Sequence, residues 1–184
     1  FPTLYNAFSV LLLGVFCGPV ANGLFDAGTK LVDISQQFLK IISRTFFPFL
    51  SRKIDKHTLF SKIYMLFTLI VTLGLIFFAP FLIPVFFSEE SIKVLRLMAI
   101  SGVFLTMSNI YGTNYLIIIG RERSLRNLTM YASLLGFVIA IPLIYYGGYM
   151  GAVAIIVFVR MLLGVGSYLL AYNCKKNICK KNLL

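Results

Sequence analysis

The sequence has no tryptophan, a single histidine and only six acidic residues in 184. It has three cysteines, too few for a disulfide framework. Cys174 and Cys179 lie in the tail "NCKKNICKKNLL" without the further Cys or His of a zinc site, so reduced, cytoplasmic thiols are expected. Charged residues make up 12% of the chain, about half the share found in soluble domains, which excludes an ordinary water-facing surface. No run alternates as a half-buried strand does. There is no GxSxG, Walker A sequence, HExxH or metal-spaced Cys/His set. No catalytic residue, cofactor or metal is therefore expected.

What is present is apolar. Hydrophobic residues make up 59% of the chain, including 18 Phe and 10 Tyr, which suits lipid-facing and interfacial surface. Mean hydropathy is +0.91. About 20 residues of helix cross a hydrocarbon core, and six apolar segments of about that length can be marked. They cover roughly 3–17, 24–50, 63–87, 92–119, 128–146 and 150–172, each bounded by breakers. "GPVANG", "SEES", "GRERSLRN" and "YYGGYMG" read as turns, and Pro80 and Pro84 as a kink near the end of the third span. The expected fold is all-α: a polytopic membrane protein with one six-helix lobe over residues 1–184. The chain opens at Phe1 inside an apolar run, with no basic leader or cleavage signal, and a fragment lacking its N-terminal part is expected.

The net charge is +11, which in a soluble protein would invite a nucleic-acid partner. Here the cations sit between apolar spans, so none is expected. Eleven of them share one side: Arg52, Lys53, Lys56 and Lys62, then Arg121, Arg123 and Arg126, then Lys175, Lys176, Lys180 and Lys181. The opposite turns carry only Lys93, beside Glu89 and Glu90. The positive-inside rule places the basic side, and both ends of the chain, in the cytoplasm.

The second span is the anomaly. In "LFDAGTKLVDISQQFLKIISR", residues Asp26, Lys30, Asp33, Gln37, Lys40 and Arg44 are spaced 4, 3, 4, 3, 4. On an α-helix this is one stripe on one face. A charge at bilayer depth costs at least about 2.5–3.5 kcal/mol. Asp26–Lys30 and Lys30–Asp33 have the spacing of helix ion pairs, whereas Lys40 and Arg44 have no acid within one turn on the stripe. A water-filled cavity lined by this face fits better than helix packing alone, with Lys40 and Arg44 meeting an anion. Asp26 and Asp33 would tune the cations or couple to an ion. Arg160, midway along the sixth span, either pairs with Asp26 or Asp33 or joins the cavity. Gly102, Thr106, Asn109 and Thr113 repeat at 4, 3, 4, which reads as a packing seam, with cavity lining the alternative. Arg96 reads as solvated at an interface, and His57 as an exposed loop residue.

"LLLGVFCGPVANGLFDAGTKLVDISQQFLKIISRTFFPFLSRKI" resembles the second half of bacterial O-antigen and capsule polysaccharide flippases. These belong to the multidrug/oligosaccharidyl-lipid/polysaccharide exporter superfamily. The resemblance is carried by Gly14, Gly18, Pro19, Gly23, Ala27 and Lys30, then Pro48 and Ser51, and by "APFLIPVFFSEESIKVLRLMAI", "GTNYLIIIGRERSLRN" and "YYGGYMGAVAI". It implies helices seven to twelve of a twelve-helix transporter in the bacterial inner membrane. The implied activity is translocation of an undecaprenyl-diphosphate-linked oligosaccharide by alternating access. The implied partners are that substrate, membrane lipid, the missing N-terminal lobe and other polysaccharide-assembly proteins. Lys30, Lys40, Arg44, Arg160, Gln37 and Asn109 would line the substrate cavity. The rival readings are a drug/cation exporter of the same superfamily, or a membrane enzyme or scaffold of glycan biosynthesis.

Overall fold

The computed structural model describes residues 4–52, 56–86 and 91–181. They form helices α1 (Leu4–Arg52), α2 (His57–Phe86), α3 (Ser91–Met107) and α4 (Glu122–Lys181), with a π-helical segment, Ser108–Leu116, continuing α3. Four helices are long and apolar enough to cross a bilayer, which marks a multi-pass membrane protein. Helix is forced by the solvent: lipid offers the backbone no hydrogen bonds, so each segment must satisfy its own. Hydroxyls follow the same logic. Thr29 donates to the Phe25 carbonyl (3.0 Å), Ser35 to Leu31 (3.0 Å) and Thr68 to Tyr64 (2.9 Å).

Two of the helices are broken at one residue each. Gly18 has φ 80° and ψ 179°, and Gly148 has φ 56° and ψ −138°. Both are conformations that a side chain disfavours. At these points the chain doubles back. A Cβ built on Gly166 would lie 2.6 Å from Leu128, although a straight helix would hold these residues about 57 Å apart. Likewise a Cβ on Gly14 would lie 3.1 Å from the Asn22 amide, against about 12 Å in a straight helix. Pro19 follows Gly18 at the start of the next arm, where its missing N–H is harmless. The two reversals meet: a Cβ on Gly148 would lie 3.8 Å from Cys17, and the rings of Phe16 and Tyr145 are 5.9 Å apart, edge to face.

The main core joins α1, α3 and α4 through Leu13, Phe25, Val32, Leu95, Ile156 and Val159. In the second arm of α1 the packed seam is Phe25, Thr29, Val32, Gln36, Leu39 and Ser43. Where backbones approach closely, glycine is required. A Cβ on Gly164 would lie 2.5 Å from the Phe104 carbonyl oxygen. A smaller core joins Leu39, Tyr64 and Ile110, and the Tyr64 hydroxyl donates to the Leu39 carbonyl at 2.7 Å. Ile34, Phe38 and Ile41 of α1, and Leu66, Leu73 and Phe77 of α2, are exposed, as lipid-facing surface should be.

Two expectations from the sequence are corrected here. His57 is not an exposed loop residue; it opens α2 and is 6% exposed. Its Nε2 lies 3.1 Å from the Ile110 carbonyl oxygen, which only accepts, so Nε2 carries the proton. Its ring is 4.9 Å from that of Tyr115. The expected seam Gly102–Thr106–Asn109–Thr113 is also revised. The wider π turn, with Ile117 N donating to the Gly112 carbonyl at 3.3 Å, shifts the buried face to Gly102, Thr106, Ile110 and Asn114. Asn109 is half-buried and Thr113 is exposed. The helix of α2 continues past Pro80 and Pro84.

Candidate functional site

The polar centre of the molecule is built around Arg160, on the second arm of α4. Its side chain is 8% exposed. Nη1 donates to Ser101 Oγ at 3.0 Å and approaches Met98 Sδ at 3.9 Å. Nη2 lies 3.5 Å from Asp33 Oδ1. The Ser101 hydroxyl donates to the Met98 carbonyl (2.7 Å), which leaves its oxygen free to accept from the guanidinium. Three elements therefore converge on one cation: α1 through Asp33, α3 through Ser101 and Met98, and α4. Arg160 lies about 18 Å along its arm from Gly148, and Asp33 about 22 Å from Gly18. An arm that crosses a hydrocarbon core of about 30 Å would hold both of them inside it. A guanidinium there is costly to bury without partners, and Asp33 and Ser101 offset that cost.

Of the two acids open to Arg160 in the sequence, the structure selects Asp33. The expected pairs Asp26–Lys30 and Lys30–Asp33 do not close. Among the described residues the ion pair within 4.0 Å is Arg160–Asp33. The Asp33 side chain stays 46% exposed, so this pair spans the boundary between the packed interior and the open face. Arg160 Nε is buried without a partner.

The charged stripe stands where its spacing places it, on one face of α1. Asp26, Lys30, Gln37, Lys40 and Arg44 are exposed, and Asp33 is half-buried. The stripe is rotated by one residue, about 100°, from the packed seam Phe25–Thr29–Val32–Gln36–Leu39–Ser43. Its other neighbour is the exposed apolar row of Ile34, Phe38 and Ile41. The charges thus line the edge of the packed surface and stay open. Asn109 is not gathered into this group; it lies on the π-segment with a buried, unpartnered Nδ2.

Three buried polar residues were not among those expected to line the cavity. Gln36 is 5% exposed, packs against Gly102, and leaves Oε1 unpartnered. Ser43 accepts from Asn114 Nδ2 at 2.7 Å, joining α1 to the π-segment. Ser101 holds Arg160. Gln36 and Ser43 belong to the 4, 3, 4 seam that starts at Phe25, and its alternation of apolar and polar residues was the available signal. The described residues contain no group of three or more His, Cys, Asp or Glu able to hold a metal.

No protein-family model matches the chain, and no solved structure matches it. A curated protein of Shigella dysenteriae, named "Putative O-antigen transporter", is 29% identical over 170 residues. The match covers 88% of this chain and 43% of the relative, so the chain spans less than half the length of that protein. The relative is named as a transporter and not as an enzyme. The resemblance to O-antigen polysaccharide flippases carried by Gly18, Pro19, Lys30 and Pro48 is thus supported, over nearly the whole chain, by a relative named for O-antigen transport.

Proposed function

We propose that this chain is the C-terminal half of a flippase that moves lipid-linked oligosaccharide across the bacterial inner membrane by alternating access. One observation carries this reading. Lys30, Lys40 and Arg44, with Asp26 and Gln37, are exposed on a helix whose next face is exposed and apolar. Each such charge facing hydrocarbon costs about 2.5–3.5 kcal/mol or more, so this face is turned to water or to a second lobe. Counting each arm of α1 and α4 as one crossing gives six spans with both ends cytoplasmic, in keeping with the basic turns. A second six-helix lobe across the stripe would enclose a cavity at mid-depth, where transporters place their substrate sites.

The cationic half of the stripe, Lys40 and Arg44, suits a diphosphate or an acidic sugar. Asp33 tunes the site through Arg160. No covalent step is needed; the two lobes rock about the cavity. A drug/cation exporter fits less well, because Asp33 is already engaged by Arg160. The test is restoration of surface polysaccharide in a flippase-null strain by the full-length protein. Lys40→Ala combined with Arg44→Ala is expected to cut export at least tenfold at equal protein level. Normal export by the double variant would sink the cationic cavity.

A further inference from the structure

A concavity lies away from the charged stripe. It encloses about 1060 Å³ between α2 and the last turns of α4, with the π-segment as its floor. α2 separates it from α1: Phe60 and Tyr64 face a different groove shared with Ile42 and Phe46 of α1. The lining changes along its length. Lys62 and Lys175 supply two cations, and among the described residues no acidic side chain lines the groove. Deeper in come Met65, Leu66 and Leu69, a run of about 10 Å from Lys62 along one face of α2. The walls are tyrosines. Tyr111 meets Tyr168 edge to face at 5.0 Å, and Tyr172 stacks beside Tyr168 at 6.4 Å.

The depth of the groove follows from its neighbours. α2 begins at His57, and Lys175 and Lys176 follow the last apolar turns of α4, so in a membrane-spanning arrangement the lysine end belongs at the bilayer–water boundary and the leucine end toward hydrocarbon. Leu66 is 61% exposed and Tyr172 57%, so the groove opens outward onto the surface that lipid wets. Tyrosine rings suit this boundary, apolar in body and polar at the tip. Two cations at the water level above an apolar slot complement an amphiphile with an anionic head and an acyl chain.

We propose that this groove holds one anionic phospholipid, with its phosphate between Lys62 and Lys175 and one acyl chain along Met65, Leu66 and Leu69. The lipid would bridge the start of α2 to the end of α4, on the side of α2 remote from the stripe. The site is independent of the transport reading.

Native mass spectrometry of the full-length protein, delipidated and titrated with palmitoyl-oleoyl phosphatidylglycerol, tests this. One molecule is expected to bind at least tenfold more tightly than phosphatidylcholine of the same chains. Lys62→Gln with Lys175→Gln should lose that preference. Lys62→Arg with Lys175→Arg should keep it, and so should Lys93→Gln with Arg96→Gln, which removes two cations elsewhere. Leu66→Trp, which fills the slot, should weaken both lipids and thereby separates loss of the site from loss of the head-group contact. Equal binding of the two lipids, or an unchanged preference in the double glutamine variant, overturns the proposal. So does displacement of the lipid by inorganic phosphate or, at equal concentration, by undecaprenyl diphosphate. The first outcome would assign the groove to a free anion, the second to a polyprenyl lipid.

Discussion

Arg160 is the residue on which the interior is centred. It is held by a half-exposed carboxylate, a serine whose hydroxyl hydrogen is already engaged with the Met98 carbonyl, and a thioether. Asp33 is the one counter-charge within reach among the described residues. Asp33→Asn removes that charge and leaves a buried cation. Breaking a fully buried pair costs about 3–5 kcal/mol, and water at Asp33 reduces this to about 1–3 kcal/mol. Asp26→Asn, on the same stripe but exposed and unpaired, is expected to be neutral. Thermal unfolding of the two purified full-length variants gives the comparison; equal midpoints would show that the Asp33 contact contributes nothing. The stripe was legible because a helical face needs only periodicity to be seen. Whether Arg160 would choose Asp26 or Asp33 was not legible, since both share that face. The choice depends on which turn of α1 lies against α4, and that is set by packing distant in sequence. His57 was misread for a related reason: its partner, the Ile110 carbonyl, is 53 residues away.

Among the elements, α3 and its π-segment show how far a repeat can be trusted. The seam begins at Gly102 and Thr106, as the α period requires. It then steps to Ile110 and Asn114, because the i→i+5 turn holds more residues. No side chain in "SNIYGTNYL" announces that wider turn. Close approach is sharper than the pattern could indicate. At Gly164 a methyl group would press on the Phe104 backbone of α3, which cannot swing aside as a side chain can. At Gly23 a methyl group would meet nothing within 4 Å. Gly164→Ala is therefore expected to destabilise by about 1–3 kcal/mol through overpacking. Gly23→Ala should be neutral or stabilising by up to about 1 kcal/mol, from helix propensity alone. Detergent-solubilised thermal melts of both variants decide this. If Gly164→Ala is as well tolerated as Gly23→Ala, the α3–α4 contact is looser than described.

For the whole molecule, the strongest signal in the sequence was the segregation of its cations, and it bears on the number of crossings. If each arm crosses the bilayer, residues 123 and 147 lie on opposite sides. In a background with Cys17, Cys174 and Cys179 replaced by serine, Arg123→Cys should react with an impermeant maleimide only in inverted vesicles. Gly147→Cys should react only in right-side-out cells. Labelling of both from the same side would refute the six-span arrangement. The apolar segments and their order were readable from hydropathy. The doubling of α1 and α4 was readable only as turn composition, since one glycine outside helical geometry suffices for each reversal. Those two reversals lie side by side. A bend made by one residue leaves no slack chain to protrude. At this place the protein gives a protease no strand to thread and an antibody no loop to grip. An epitope inserted at Gly18 or Gly148 would have to break the bend in order to be seen.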